Sequence, residues 1–323
     1  MKGHFMVGGC NAHLHKANSM SDMKFGKVGQ PFFKPRLRKG IARLFPGRRR
    51  RFTCMAGTRG YVLHLPAGRM QAPTGLIVML HGCGQSPEDF AKGTGMNGLA
   101  DSHGFAVLYP AQSRRANIQG CWRWYDEKHQ QADSGEPAII AAMTRQIITD
   151  HAIPPSHVFV AGLSAGAAMS VVMGQTYGDL FAAVGAHAGL PFKAAQDASG
   201  AFAAMGGAAQ VHGPDRPKRT ITFHGTADKT VHLSNSVAIA RAQVQPDGAH
   251  RISEVIDIAR HTAKRDVSFD ADRRPVLENW TVAGLGHTWS GGTPDGSYTD
   301  ADGPDASAAI VRFFFDGPDP SLR

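Results

Sequence analysis

The sequence predicts an α/β fold, a mostly parallel sheet covered by helices on both faces, and three observations carry it. Short apolar runs recur between residues 59 and 284, several of them continuous and β-branched, as suits strands buried on both faces. Helical patterns lie between these runs, and parallel strands need such crossovers. The pentapeptide Gly162-Leu163-Ser164-Ala165-Gly166 sits between an apolar run and an Ala- and Met-rich one, where a strand must turn sharply into a helix.

Strands are expected at RGYVLHLP (59–66), LIVML (76–80), GFAVLYP (104–110), HVFVAG (157–162), FAAVGAHAG (181–189), TITFHG (220–225) and ENWTVAG (278–284). A helix opened by Pro137 follows from Ile140, Met143 and Ile147, which recur on one face. Further helices are expected from Ala165 to Tyr177 and around IVRFFF near the C-terminus. No internal repeat of fixed period is present, and no apolar run is long enough to span a bilayer.

Charge divides the chain in two. The formal net charge is +9, but residues 1–51 hold thirteen Lys and Arg against Asp22 alone, a local +12 that leaves the remainder at about −3. Residues 1–51 therefore read as a flexible basic arm and 52–323 as one large domain. The arm lacks aromatic interleaving and any nucleic-acid motif, so no nucleic-acid partner is expected, only weak contact with anionic surfaces. It also lacks the 7–15-residue apolar stretch of a secretory signal, which points to the cytoplasm. The four cysteines, Cys10, Cys54, Cys83 and Cys121, are too few for a disulfide scaffold and lack the paired spacing of a zinc site.

Chemistry concentrates at Ser164. Glycines on either side permit the tight turn, and the helix beyond it adds partial positive charge while aiming the Ala165 amide toward a developing oxyanion. A serine hydroxyl attacks only when a base takes its proton, and a third group must orient that base. In this type of fold the acid and then the histidine follow the serine. Asp228, in the loop after TITFHG, and His287, in a loop bracketed by Gly284, Gly286 and Gly291, fit that order. His81, His187 and His224 also end predicted strands and read as hydrogen-bonded structural residues. The turn His81-Gly82-Cys83-Gly84 offers a second oxyanion amide at Cys83. This route requires no metal and no organic cofactor.

The blocks HGCGQSPEDF, GCWRWY, AGLSAGAAM, YGDLFAAVGAHAGLPF, FHGTADKTVH and GLGHTWSGGTPDGSYTDADGPDAS, in this order, resemble the poly(3-hydroxybutyrate) depolymerase-like esterases, a family that includes feruloyl and acetylxylan esterases. The resemblance runs from about Phe52 to Phe315 and implies an α/β-hydrolase fold with Ser164, Asp228 and His287 as the triad. It also implies a disulfide between Cys83 and Cys121, and Trp122, Tyr125 and Trp289 as substrate-cleft aromatics. The chain has Ala167 where family members often carry a second glycine, a small change expected to leave the chemistry intact. It implies hydrolysis of poly- or oligo(3-hydroxybutyrate)-type polyesters, or of feruloyl or acetyl esters on plant polysaccharide. The chain ends at Arg323 without an appended substrate-binding module, so weak binding to crystalline polyester is expected. The family and the disulfide favour an extracellular location over the cytoplasm. A reading from another class, an inactive hydrolase-fold binding protein, competes with the enzyme.

Overall fold

Period-two alternation in the central strands decides the architecture. Leu76, Val78 and Leu80 point into one hydrophobic layer, together with Val158 and Val160 from a neighbouring strand. Ile77, Met79, Phe159 and Ala161 point into the other. With both faces apolar, the strands need helices on both sides, and that is the observed arrangement. The computed structural model describes residues 48–68, 71–209, 217–243 and 250–315.

One ten-stranded sheet organises these residues. Its strands are β1 (Arg50–Cys54), β2 (Gly57–His64), β3 (Leu76–Leu80), β4 (Ala106–Ala111), β5 (Val158–Leu163), β6 (Ala183–His187), β7 (Thr220–Gly225), β8 (Arg251–Ile258), β9 (His261–Phe269) and β10 (Pro275–Val282). They lie in the order β1-β2-β4-β3-β5-β6-β7-β10-β9-β8. The six strands from β4 to β10 across the centre pair in parallel, whereas β1, β2, β8 and β9 add antiparallel flanks. The carboxyl ends of the parallel strands therefore open on one side, and the loops there form the natural place for a site.

Helices α3 (Gly135–His151) and α4 (Ala165–Thr176) supply Ile139, Ile140, Met143, Ile147, Met169 and Met173 to one layer. Helices α1 (Pro87–Thr94), α2 (Met96–His103) and α7 (Ala306–Phe315) supply Phe90, Met96, Ile310 and Phe313 to the other. The start of α1 is written locally. The Ser86 side chain caps the Asp89 amide, Pro87 takes the first turn, and Glu88 and Asp89 face the positive end of the helix dipole. Two further helices, α5 (Ala198–Ala203) and α6 (Ser234–Gln243), follow β6 and β7.

All seven expected strands are present, and so are the helices expected from Pro137, Ala165 and IVRFFF. The boundary at residue 51 needs correction. Arg50 and Arg51 pair with Tyr61 and Gly60 in the β1–β2 ladder, and Arg49 bonds Glu88 on α1, so the end of the expected arm is part of the sheet. The chain divides at Leu44/Phe45, and the arm up to residue 47 lies outside the described residues. The β8–β9 hairpin is an addition to the expected strand set. Its first strand alternates exposed and half-buried residues, so it shows no continuous apolar run.

A buried carboxylate fastens that hairpin to the domain. Glu278 on β10 is fully buried, accepts from Trp280 Nε1 at 2.7 Å and pairs with Arg265 on β9 and Arg312 on α7. Removing one partner of a buried ion cluster leaves uncompensated charge. Glu278→Ala is expected to lower stability by about 3 kcal/mol, measured by urea unfolding; a loss under about 1 kcal/mol would mean that water already screens the two guanidinium groups.

Candidate active site

Ser164 lies between β5 and α4 with φ 56° and ψ −120°, a conformation that a residue with a side chain adopts only under constraint. Two hydrogen bonds and two close glycine approaches hold it there. Its amide donates to His187 O at 2.9 Å, and its carbonyl accepts from the Ala168 amide at 2.9 Å. A methyl on Gly166 would lie 2.0 Å from Leu80 O, and one on Gly162 would lie 2.5 Å from the Gly166 carbonyl carbon. The two glycines thus let the head of α4 press against the end of β3, where the turn carrying Cys83 begins.

That turn spends nearly all of its donors on itself and its neighbours. Gly82 N donates to Gln85 Oε1 at 2.9 Å, Gly84 N to Gln119 O at 3.0 Å and Gln85 N to Gly82 O at 3.3 Å. The Cys83 amide between them has no acceptor among the described residues. At Ala165, the first-turn amide of α4 has no partner one helical turn back. Cys83 and Cys121 are joined by the expected disulfide, with Cα atoms 4.3 Å apart. Glu136, buried at the start of α3, accepts from Arg123 N at 2.9 Å and also bonds Gln112, which fastens the segment carrying Cys121.

Asp228 and His287 meet at 2.7 Å, through Oδ2 and Nδ1. Backbone stitching between their loops makes this possible. Thr226 N donates to Val282 O at 2.9 Å, Ala227 N to Leu285 O at 3.0 Å and Gly284 N to Thr226 Oγ1 at 3.0 Å. A methyl on Gly225 would lie 2.0 Å from Leu285 O, so glycine permits the approach. The other carboxylate oxygen accepts from Thr230 N and Val231 N at 2.8 and 2.9 Å. Burial by itself raises the Asp228 carboxyl. Hydrogen bonds from His224 and His287, the charge of His287 and the Val231 amide outweigh it and hold the group well below the usual carboxylate range.

The three other strand-end histidines are buried and engaged. His81 Nδ1 donates to Gly82 O at 2.8 Å while its Nε2 accepts from Gln112 N at 3.1 Å. His187 Nε2 accepts from Ser290 N at 3.0 Å, and its ring stacks against Phe223 and Trp289. His224 was expected to be structural alone, yet its Nε2 lies 3.4 Å from Asp228 Oδ2 as well as 2.8 Å from Val231 O. Its position at the end of TITFHG, four residues before Asp228, was the available signal.

The cleft aromatics need correction. Trp122 is 0% exposed, with its indole N–H given to His81 O at 3.1 Å. Trp289 is 1% exposed, with its indole N–H given to Ser307 Oγ at 3.1 Å and its ring edge-on to Phe90. Both rings brace the loops from beneath, because their polar tips are satisfied inside the domain and no ring face is left for a ligand. Tyr125, half-buried and edge-on to Trp124, retains accessible surface. Among the described residues no group of three His, Cys, Asp or Glu side chains is arranged to hold a metal ion, and no helix is long and apolar enough to cross a membrane.

The family model described as "Esterase PHB depolymerase" matches residues 59–246. The chain is 33% identical to a poly(3-hydroxyalkanoate) depolymerase C of Paucimonas lemoignei over 72% of this chain and 58% of that protein. It is 32% identical to an acetylxylan esterase A of Aspergillus oryzae, over 54% and 62% of the two chains, and 34% identical to a feruloyl esterase B of Neurospora crassa, over 36% and 39%. The chain thus spans less than two thirds of these curated relatives. Among solved structures, an acetyl xylan esterase from Aspergillus awamori superposes with a TM-score of 0.61 at 21% identity, covering 75% of this chain and 94% of that one. That likeness establishes the α/β-hydrolase fold.

Two outcomes follow from the packing. Gly166→Ala drives a methyl into the Leu80 carbonyl and is expected to cost about 2 kcal/mol of stability, measured by thermal unfolding; an unchanged midpoint would mean that α4 can shift away from β3. The second concerns pH. Burial lowers His81 to about 4, and burial together with the neighbouring His224 and His287 lowers His187 to about 3. Both groups bind protons in the unfolded chain below about 6.5 but resist them when folded. Their contribution to stability is complete above that value and is lost as pH falls toward 4 and then 3. The unfolding midpoint should therefore decline from pH 6.5 to 4, and the decline should be shallower in His81→Gln; equal slopes would show that other groups control acid sensitivity.

Proposed function

The chain belongs to the Esterase PHB depolymerase family, and from that premise we propose that it is a serine carboxylic-ester hydrolase with Ser164 as nucleophile, His287 as general base and Asp228 as the acid that orients it. The observation that carries this reading is the 2.7 Å bond between His287 Nδ1 and Asp228 Oδ2, made at the same end of the sheet as the constrained Ser164 turn. With Nδ1 given to the carboxylate, His287 Nε2 is left to take the serine proton.

In the first half-reaction, His287 Nε2 accepts the proton of Ser164 as Oγ attacks the ester carbonyl carbon. The carbonyl oxygen becomes an oxyanion that the Cys83 and Ala165 amides stabilise, and Asp228 stabilises the imidazolium. Collapse of the tetrahedral intermediate breaks the bond to the alcohol oxygen, which leaves with the proton from His287. Water then attacks the acyl-enzyme, giving its proton to His287, and the acid departs as that proton returns to Ser164 Oγ. A depressed Asp228 suits this cycle, since the carboxylate must stay charged throughout.

For substrate we favour poly- or oligo(3-hydroxybutyrate)-type esters, supported by the extent of the match to the Paucimonas depolymerase. Acetyl esters on xylan form the second reading, supported by the 32% identity to the Aspergillus oryzae acetylxylan esterase A. The Cys83–Cys121 disulfide supports an extracellular setting, since such bonds persist in oxidising surroundings.

Wild type, Ser164→Ala and Asp228→Asn should be compared on a 3-hydroxybutyrate oligomer, methyl ferulate, acetylated xylan and p-nitrophenyl butyrate. Ser164→Ala is expected to lose at least about 10⁴-fold in kcat while keeping its unfolding midpoint, and Asp228→Asn about 10³- to 10⁴-fold. An active Ser164→Ala would remove the triad; preference for acetylxylan would keep the triad and transfer the substrate to polysaccharide.

A further inference from the structure

Gln85 occupies a position between the two halves of the proposed machinery, and both ends of its side-chain amide are committed. Its Oε1 accepts the Gly82 amide at 2.9 Å, one residue before the Cys83 amide. Its Nε2 faces only acceptors, namely Ser297 O at 3.0 Å, Asp89 Oδ2 at 3.1 Å and Ser297 Oγ at 3.3 Å. Asp89 in turn accepts from Ser297 N at 3.0 Å and from Ser297 Oγ at 2.5 Å, so the segment at Ser297 is held from two sides. The next residue, Tyr298, accepts the Trp289 amide at 2.7 Å, within the short pairing of β11 (Trp289–Ser290) with β12 (Thr299–Asp300). Trp289 is two residues beyond His287. A continuous path therefore runs from the Cys83 turn through Gln85 and Ser297 to the loop that carries the base.

We infer that Gln85 is a positioning residue that aims the Cys83 amide at the oxyanion and sets that amide in register with the His287 loop; the inference rests on the esterase reading above. Of the amides from Gly82 to Gln85, only that of Cys83 lacks an acceptor, and its direction is set by the Gly82–Cys83 peptide plane and, through the Gly82 dihedrals, by the orientation of the plane before it. The Gly82 carbonyl in the Cys83 peptide plane accepts from His81 Nδ1 at 2.8 Å and from the Gln85 amide at 3.3 Å, the Gln119 carbonyl holds Gly84 and the disulfide holds the Cys83 side chain, while the Gln85 side chain fixes the preceding plane through Gly82 N. Gln85 is also buried, so water does not readily replace its bonds. Glutamine suits the position because it needs an acceptor at one end and a donor at the other. A glutamate of the same shape would set a carboxylate oxygen against Ser297 O and the Asp89 carboxylate.

The test compares wild type, Gln85→Ala and Gln85→Glu on p-nitrophenyl butyrate, well below their unfolding midpoints, with Ser164→Ala as the inactive control. A trifluoromethyl ketone, which forms an oxyanion on reaction with the serine, reports on the same amide. Both Gln85 variants are expected to lose about 10- to 100-fold in kcat with KM within about twofold, and to lose affinity for the ketone in parallel. In Gln85→Glu, protonation restores a donor toward Ser297 and Asp89, so the ratio of its kcat to that of wild type should rise as pH falls, whereas the ratio for Gln85→Ala stays flat. A wild-type kcat in both variants, or ketone binding unchanged while kcat falls, overturns the positioning role and leaves the esterase reading intact. A wild type inert toward every ester overturns both.

Discussion

The close approach of the Gly166 α-carbon to the end of β3 is the constraint on which the rest of this site depends. There is no room for a methyl group between α4 and the Leu80 carbonyl, and the missing side chains at Gly162 and Gly166 are what bring Ser164 into a left-handed turn beside the Cys83 loop. A turn of this kind costs backbone energy, which surrounding structure must offset. Here the offset comes from the hydrogen bonds to His187 and Ala168 and from the packing of Ala165, Ala167, Ala168 and Met169 in the buried layer beneath.

A second approach of the same type organises Asp228 and His287. The Leu285 carbonyl lies against Gly225 and accepts the Ala227 amide, so the loops after β7 and β10 become one stitched unit carrying Asp228 and His287. Beneath that unit, the rings of Phe223, His187 and Trp289 stack in series, with Phe90 edge-on to Trp289. The buried aromatics thus act on the site through the loops they support. Burial also keeps His81 and His187 neutral at ordinary pH, so that neither puts a competing positive charge beside Ser164 or His287.

Where the sequence was legible, it was because the physical signal was local. The parallel strands are continuous apolar runs, the Ser164 turn is a glycine-flanked pentapeptide, and the order of Ser164, Asp228 and His287 follows the order of the strand ends. The expected pairing of Asp228 with His287 and the Cys83–Cys121 bond are both present. Signals that depend on partners far along the chain were not legible. The β8–β9 hairpin has alternating exposed residues because it extends the sheet outward, and the first strand begins inside a basic segment because Arg50 and Arg51 pair with β2. Trp122 and Trp289 occupy motif blocks next to the site, yet sequence proximity does not say which way a ring points.

By itself the sequence determined the fold class, the strand-to-helix turn at Ser164 and the residue types available for the proposed nucleophile, acid and base, because each is written in spacing and composition within a few residues. Tertiary structure decided which groups touch. It placed His224 within reach of Asp228 and gave Gln85 a partner 212 residues away in Ser297. It also turned two tryptophans inward. The physical reason is that hydrogen bonds and ring contacts of this length require a specific approach of distant backbone segments, and that approach is set by how the sheet twists and how closely its glycines let the loops pack.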